Sequence, residues 1–214
     1  MARIVCLANS YKGGGRRCIA GIDIKTGEWV RPISRGAEKA VDWNNRKVDE
    51  AEPEILDILD IPLEDSRPNE EYQPENRFLT LGKWRKISRL DPQDLLKYCE
   101  DDNVILHNHE DYVLPELLSE KASSERKSLQ LIHSVNVKFN HDLYDRRKWR
   151  VSFQYGRKNY LDLKLTDVVL SDRLRKNEKI SNECILTISL ATPWKRNDKT
   201  PERCYKMVAG VVEL

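Results

Sequence analysis

Apolar and polar residues alternate in short runs, and the runs in the first ninety residues predict a series of strands. Residues 4–8 are continuously apolar and β-forming, which is typical of a buried strand. Three consecutive glycines at 13–15 then leave the backbone free to make a tight turn, so the flanking runs predict a hairpin. We predict strands over residues 3–8, 16–23, 28–33, 54–61 and 77–81, the last with a continuation at 83–87.

A second series of strands follows residue 128. Trp149, Val151, Phe153 and Tyr155 alternate with polar residues, as in a strand with one buried face. The apolar runs predict strands over 129–139, 148–155, 159–165, 184–191 and 204–212, with a helical insertion over 166–179. Three meandering strands, a helical insertion and two further strands follow the order of an oligonucleotide/oligosaccharide-binding (OB) barrel.

The two series are separated by the clearest helix signal in the chain. Asp91 is an N-cap residue, Pro92 takes the first helical position, and apolar residues follow at helical spacing, which predicts a helix over 91–99. We therefore predict a mainly β protein of two tandem OB-like five-stranded barrels with a few short helices. The predicted parts are an N-terminal barrel at 1–90, a helical and loop connection at 91–127, and a C-terminal barrel at 128–214.

Composition narrows the class of protein. Hydrophobic residues make up 39% of the chain and charged residues 34%, which argues against wholesale disorder. The longest apolar stretches, such as 185–191, are far shorter than the roughly 20 residues that span a bilayer, and no signal peptide opens the chain. We expect a cytoplasmic protein with no membrane partner. The five cysteines form no CxxC pair and are expected to be reduced core residues.

Charge is distributed unevenly along the chain, although the net charge is only +2. Residues 1–50 carry 10 basic and 6 acidic side chains, residues 51–120 carry 7 and 18, and residues 121–214 carry 20 and 11. The acidic middle segment, residues 51–120, thus lies between two basic ends. This separation favours a basic binding surface and leaves open a protein partner for the acidic middle segment.

Several short motifs together resemble a known family. They are the opening Ile4-Val-Cys-Leu-Ala-Asn-Ser10, the following Gly15-Arg-Arg-Cys-Ile-Ala-Gly21, the strand Gly27-Glu-Trp-Val-Arg-Pro-Ile-Ser34, the element Gln73-Pro-Glu-Asn76 and the closing Cys204-Tyr-Lys-Met-Val-Ala-Gly210. In order and separation, over nearly the whole chain, they resemble the dual OB-containing domain family of prokaryotes. The resemblance implies two OB-like barrels and nucleic-acid recognition, often in a prokaryotic defence or conflict system.

Two candidate sites lie in the first half. The hairpin residues Lys12, Arg16 and Arg17 flank glycines that allow close approach of a phosphate, although a plain hairpin would have the same sequence. Trp29 and Arg31 share one face of a strand. A binding site in which the tryptophan ring stacks on a base and the arginine guanidinium lies beside it would require this arrangement. The alternative is an arginine that packs its stem on a structural tryptophan.

The densest basic cluster lies in the second half. Arg146, Lys148 and Arg150 share one face of a strand, and the hairpin places Arg157 and Lys158 at its other end. These residues predict a groove that follows a nucleic-acid backbone, with a solvated exterior as the alternative. Trp194 and Lys195 form a further exposed pair of an aromatic and a basic residue.

The sequence indicates no catalytic centre, metal site or cofactor. Asp57 and Asp60 lie an odd number of residues apart in a predicted strand, so they face opposite sides and are poorly placed to share a metal ion. We therefore predict a non-catalytic DNA- or RNA-binding module. The alternatives are a protein-interaction or regulatory module and, less favoured, a metal-dependent nuclease.

Overall fold

The computed structural model describes residues 1–36, 39–68 and 71–214, and most of its regular structure is β-strand. The first half contains β1 (Ala2–Gly13), β2 (Arg16–Asp23), β3 (Trp29–Ile33), β4 (Asp57–Ile61), β5 (Asn76–Phe78) and β6 (Arg85–Arg89). The second contains β7 (Tyr112–Val113), β8 (Leu129–Ser134), β9 (Lys138–His141), β10 (Trp149–Tyr155), β11 (Lys158–Leu165), β12 (Cys184–Leu190) and β13 (Cys204–Glu213). The α-helices are α1 (Trp43–Arg46), α2 (Pro115–Ser119) and α3 (Val168–Arg175), and 3-10 helices cover Pro92–Tyr98 and Ser123–Glu125.

The strands form two mixed sheets. The first has the order β5-β3-β2-β1-β4-β6, and only β3 and β5 pair in parallel. The second has the order β8-β12-β13-β11-β10-β9, with β7 added to β13 and a parallel pair between β11 and β13. The mainly β class is confirmed. The predicted closed five-stranded barrels are not: the sheets have six and seven strands and are not closed.

Local backbone geometry explains where the predicted elements differ from the observed ones. The predicted strand 129–139 is two strands, because Asn136 has a φ of 61° and turns the chain between β8 and β9. The predicted run 77–87 is likewise divided, since β5 pairs with β3 whereas β6 pairs with β4. The predicted helix at 91–99 is a 3-10 helix, and the Asp91 carboxylate caps it by accepting a 2.8 Å hydrogen bond from the Gln93 amide.

The two sheets share a hydrophobic core. Val5, Leu7 and Ile22 of the first sheet are buried with Leu131 and Ile185 of the second. Apolar side chains that pack in this way are shielded from water only while both sheets are present. The division into 1–90, 91–127 and 128–214 stays a prediction about sequence units, since the core of this structure crosses it.

The backbones of the two sheets also contact each other closely. Gly210 of β13 lies against β1, so that a Cβ placed on it would be 2.0 Å from the Leu7 carbonyl oxygen. The hydroxyl of Thr187 in β12 donates a 2.7 Å hydrogen bond to the same oxygen. This buried carbonyl is therefore satisfied by the other sheet.

A buried carboxylate makes a second connection between the halves. Glu75, just before β5, accepts hydrogen bonds from the Ser128 amide at 2.6 Å, the Ser128 hydroxyl at 2.7 Å and the Leu129 amide at 3.1 Å. All of these groups are buried. The Gln73-Pro-Glu-Asn76 element thus holds the start of β8 through charge-assisted hydrogen bonds.

All five cysteines are free thiols, and Cys6, Cys184 and Cys204 are fully buried. Desolvation is the main reason that the pKa of the Cys6 and Cys184 thiols rises to about 12. Thiols of such high pKa are unreactive as nucleophiles at neutral pH. In the described part of the chain, no helix has the length and apolar character needed to cross a membrane.

Candidate functional site

Several carboxylates of the acidic middle segment are paired with cations of the same chain. Asp57 accepts Lys86 at 2.6 Å and Arg89 at 3.2 Å, and Asp60 accepts Arg3 at 2.7 Å. Further pairs of this kind are Glu52 with Arg46, Glu64 with Arg35, and Glu100 and Asp102 with Lys127. Within residues 1–36, 39–68 and 71–214, no three His, Cys, Asp or Glu side chains are grouped so that they could hold a metal ion.

The predicted hairpin site is a two-residue turn that a hydrogen bond from a buried arginine holds in place. Gly14 and Gly15 have φ values of 57° and 73°, which a two-residue turn between twisted strands requires. The buried Arg46 guanidinium donates a 3.0 Å hydrogen bond to the Gly15 carbonyl. The predicted residues Lys12, Arg16 and Arg17 lie at this end of the β1–β2 hairpin.

Trp29 and Arg31 share a face, as predicted, but the second half covers that face. Arg31 is only 5% exposed, and its Nη2 donates a 3.3 Å hydrogen bond to the Ser189 hydroxyl of β12. Its Nη1 is buried and has no hydrogen-bond partner among the described residues. The half-buried Trp29 contacts the core shared by the two sheets. This pair therefore lies in the junction between the sheets.

A first cavity, called cavity one, lies where β11 ends and α3 begins. Its volume is about 390 Å³, and it is bordered by Thr166 and Asp167 from this part of the chain. Tyr11 of the first half also lines this cavity and is 61% exposed. Its backbone amide donates a 3.2 Å hydrogen bond to the Thr166 carbonyl, which holds it in this position. The remaining side chains of interest in the wall are Arg147, Lys148, Trp149, Lys164 and Arg175.

A second cavity, called cavity two, lies where the parallel strands β11 and β13 separate. These strands pair only at Lys164–Met207 and Leu165–Val208, and the space of about 500 Å³ opens on the N-terminal side of that pairing. Its wall includes the aromatic residues Trp194 and Tyr205, whose ring centroids are 6.1 Å apart. The polar residues in the wall are Asp111, Arg150, Asp162, Lys164 and Lys206.

The buried Lys206 is held in the wall of cavity two. Its Nζ donates hydrogen bonds to the Asn108 carbonyl at 2.7 Å and the Asn108 side-chain oxygen at 2.9 Å. Desolvation, followed by repulsion from Lys158, lowers the pKa of Lys206 to about 7. This ammonium therefore titrates near neutral pH, and it lies beside the buried Tyr160 ring on the face of β13 opposite Tyr205.

Lys164 lines both cavities and divides one from the other. Its ammonium has no ion-pair or hydrogen-bond partner within the residues that the structure describes. Its pKa is lowered, first by desolvation and then by repulsion from Lys148 and Arg150, and the carboxylate of Asp142 opposes this change only in part. The positive potential at this point is thus only partly compensated, which is the property of an anion-binding surface.

Of the predicted site residues, the structure brings Lys148, Arg150 and Trp194 together around these cavities. Arg146 lies two residues before Lys148, and both are in the turn that precedes β10 rather than on the predicted strand face. Lys195 follows Trp194 and pairs with Asp198 at 3.1 Å. Arg157 and Lys158 lie at the opposite end of the β10–β11 hairpin, where the Lys158 ammonium donates a hydrogen bond to the His109 carbonyl.

Sequence reasoning missed the residue that connects the two cavities. Lys164 lies in the alternating run Leu163-Lys-Leu165, which has the pattern of any half-exposed strand. Tyr205 and Lys206 were part of a predicted strand, and Tyr11 part of a hairpin, so neither carried a separate signal. The predicted cluster of Arg146, Lys148 and Arg150 and the pair of Trp194 and Lys195 indicated this surface, but no pattern singled out Lys164.

Comparison with known proteins agrees with the resemblance in the sequence. The family model described as the dual OB-containing domain matches residues 2–211. No curated protein and no solved structure matches the chain. The match covers both sheets, the residues of the junction and both cavities. The chain therefore belongs to the dual OB-containing domain family.

Proposed function

We propose that this protein is a non-catalytic nucleic-acid-binding module that holds DNA or RNA along cavities one and two, together called the Lys164 groove. The observation that carries the proposal is the ammonium of Lys164, which lies between the two cavities without an anionic partner among the described residues. A phosphodiester beside it would supply that partner. Cations of this kind provide most of the affinity of proteins for nucleic-acid backbones.

The aromatic residues of the groove support the same function. Tyr11 is 61% exposed and Trp194 is 55% exposed, and they belong to different cavities. A large aromatic side chain left open to water on each side of an unpaired lysine is suited to base stacking, which tolerates any base because every base has a π-face. The combination of stacking rings and a central cation favours nucleic acid over a simple anion.

Binding of labelled single- and double-stranded DNA and RNA 20-mers, measured by fluorescence anisotropy at several salt concentrations, tests the proposal. Wild-type affinity should fall steeply as salt increases. Lys164→Ala should weaken binding of all sequences and reduce the slope of log affinity against log salt by about 1. Lys25→Ala is the matched control, because exposed Lys25 lies in the β2–β3 turn and lines neither cavity.

Absence of binding at low salt, or binding that salt leaves unchanged, would contradict the proposal. Equal losses in Lys164→Ala and Lys25→Ala would place the binding surface elsewhere. A protein partner for the acidic middle segment has less support, because its buried carboxylates Asp57 and Asp60 are paired within the chain and, of its described residues, only Asp111 lines cavity one or two. Cytoplasmic location and a role in prokaryotic defence stay predictions, which the gene neighbourhood and fractionation of the native host would test.

A further inference from the structure

We infer that the Lys164 groove takes single-stranded nucleic acid, with bases turned apart into cavities one and two and the connecting phosphates beside Lys164. This inference rests on the proposed function and specifies the form of its ligand. It depends on where the two cavities lie along β11, on what lines each of them, and on how far apart they are.

The cavities lie on opposite sides of Lys164 along one strand. Cavity two is lined by residues 162–164 and cavity one by residues 164–168, so both reach Lys164. The centres of these ranges are three residues apart, which corresponds to about 10 Å at the rise of an extended chain. Neighbouring bases in a duplex strand are about 3.4 Å apart, so two stacked neighbours cannot enter both cavities. An extended strand of two or three unstacked nucleotides spans this distance.

Each cavity also has the size and lining that a base requires. Volumes of about 390 and 500 Å³ lie in the range of small-molecule sites, whereas a duplex could approach them only from outside. Tyr11 offers a ring in cavity one and Trp194 offers one in cavity two. Because the rings belong to separate cavities, each can stack on its own base once the bases are unpaired.

The charges follow the same arrangement. Lys164 lies between the rings, where the phosphates that link two separated bases would pass. Arg147 and Lys148 in the wall of cavity one are shared with Asp145, at 3.0 and 3.3 Å, so they are less available than Lys164. The backbone contact should therefore be concentrated at the centre of the groove.

Calorimetric titration with nucleotides of increasing length tests the inference. The ligands are oligothymidylates or oligouridylates of one, two, three and six units, according to whether the 20-mer experiment selects DNA or RNA. Affinity should increase about tenfold between one and three units, as a second base reaches the second ring, and only slightly thereafter. Single-stranded 20-mers should bind at least tenfold more tightly than duplexes of the same sequence.

Three aromatic variants locate the bases. Tyr11→Ala and Trp194→Ala should each weaken trinucleotide binding about tenfold, with nearly additive effects in the double variant. Tyr144→Ala is the matched control, because Tyr144 is 97% exposed and lines neither cavity. Unchanged thermal unfolding of each variant would show that the fold is retained.

The outcomes separate this inference from the proposed function. No binding of any 20-mer at low salt would contradict the proposed function and the inference with it. Binding of 20-mers that depends on Lys164, but is equally tight for duplexes, would overturn the inference alone. So would a trinucleotide that binds no more tightly than a mononucleotide, or losses in Tyr11→Ala and Trp194→Ala no larger than that in Tyr144→Ala.

Discussion

Replacing Gly210 with alanine tests how closely the two sheets approach each other. The new Cβ would lie 2.0 Å from the Leu7 carbonyl oxygen and 3.1 Å from the Leu7 carbonyl carbon. Both atoms belong to the backbone of β1, so no side chain can rotate out of the way. The strands must therefore separate by about 1.4 Å to restore an ordinary contact of 3.4 Å.

The expected cost has two parts. Overpacking of a well-ordered core costs about 1–3 kcal/mol. Separation also stretches the 2.7 Å hydrogen bond from the Thr187 hydroxyl to the same oxygen, and loss of a buried hydrogen bond costs about 1 kcal/mol. We therefore expect Gly210→Ala to lower the free energy of unfolding by about 3 kcal/mol, which for a chain of this size lowers Tm by about 6–12 °C.

Urea unfolding followed by tryptophan fluorescence, together with thermal unfolding by circular dichroism, measures this effect. Gly36→Ala is the control, because a Cβ on Gly36 meets no atom within 4 Å. A shared core also predicts a single unfolding transition for both halves. A loss below about 0.5 kcal/mol in Gly210→Ala, within the usual range of surface substitutions, would refute the close contact between the sheets.

Three further predictions concern buried charged groups. Glu75→Gln should lower the free energy of unfolding in urea by about 2–3 kcal/mol, because an amide cannot accept all three hydrogen bonds. The control Glu54→Gln, at an exposed position, should lower it by less than about 1 kcal/mol. Arg31→Met should leave stability unchanged or raise it by about 1 kcal/mol, because it removes a buried guanidinium that lacks a hydrogen-bond partner for Nη1. Nucleic-acid binding should stay intact, and a loss of binding would assign Arg31 to the binding site. Burial raises the pKa of Asp167 to about 6, so the folded protein binds a proton more tightly than the unfolded chain. Stability relative to Asp167→Asn should therefore rise by up to about 3 kcal/mol as pH falls from 7.5 to 4. A constant difference in stability over that range would contradict the prediction.

The sequence was most informative where a local pattern alone decides the structure. The alternation from Trp149 to Tyr155 predicted β10, whose burial follows the same alternation. The helix capped by Asp91, though not its 3-10 form, and the glycine hairpin before Arg16 were also predicted, because capping and turn geometry depend on a few neighbouring residues. Such short-range signals place elements along the chain but do not pair distant strands.

Features that depend on contacts between distant residues were not predictable from these patterns. The shared parity of Trp29 and Arg31 showed that they lie on one face, but not that β12 would cover it. The position of Lys164 beside cavity two depends on β11 and β13, which pair in parallel and then separate, and no local pattern predicts that pairing. The exact five-stranded barrels are not confirmed for a similar reason, since Asn136 and the parallel β3–β5 pair change the number and order of strands.

Cavity one contains residues from both halves, because Tyr11 extends from β1 to the start of α3. A ligand bound there is therefore coupled to the junction, and its binding energy adds to the stability of the whole chain. At a ligand concentration one hundred times the Kd, this linkage amounts to about 2.7 kcal/mol. Such a gain would offset nearly all of the loss expected for Gly210→Ala. Occupancy of the groove would then act as a reversible clamp that holds the two halves together.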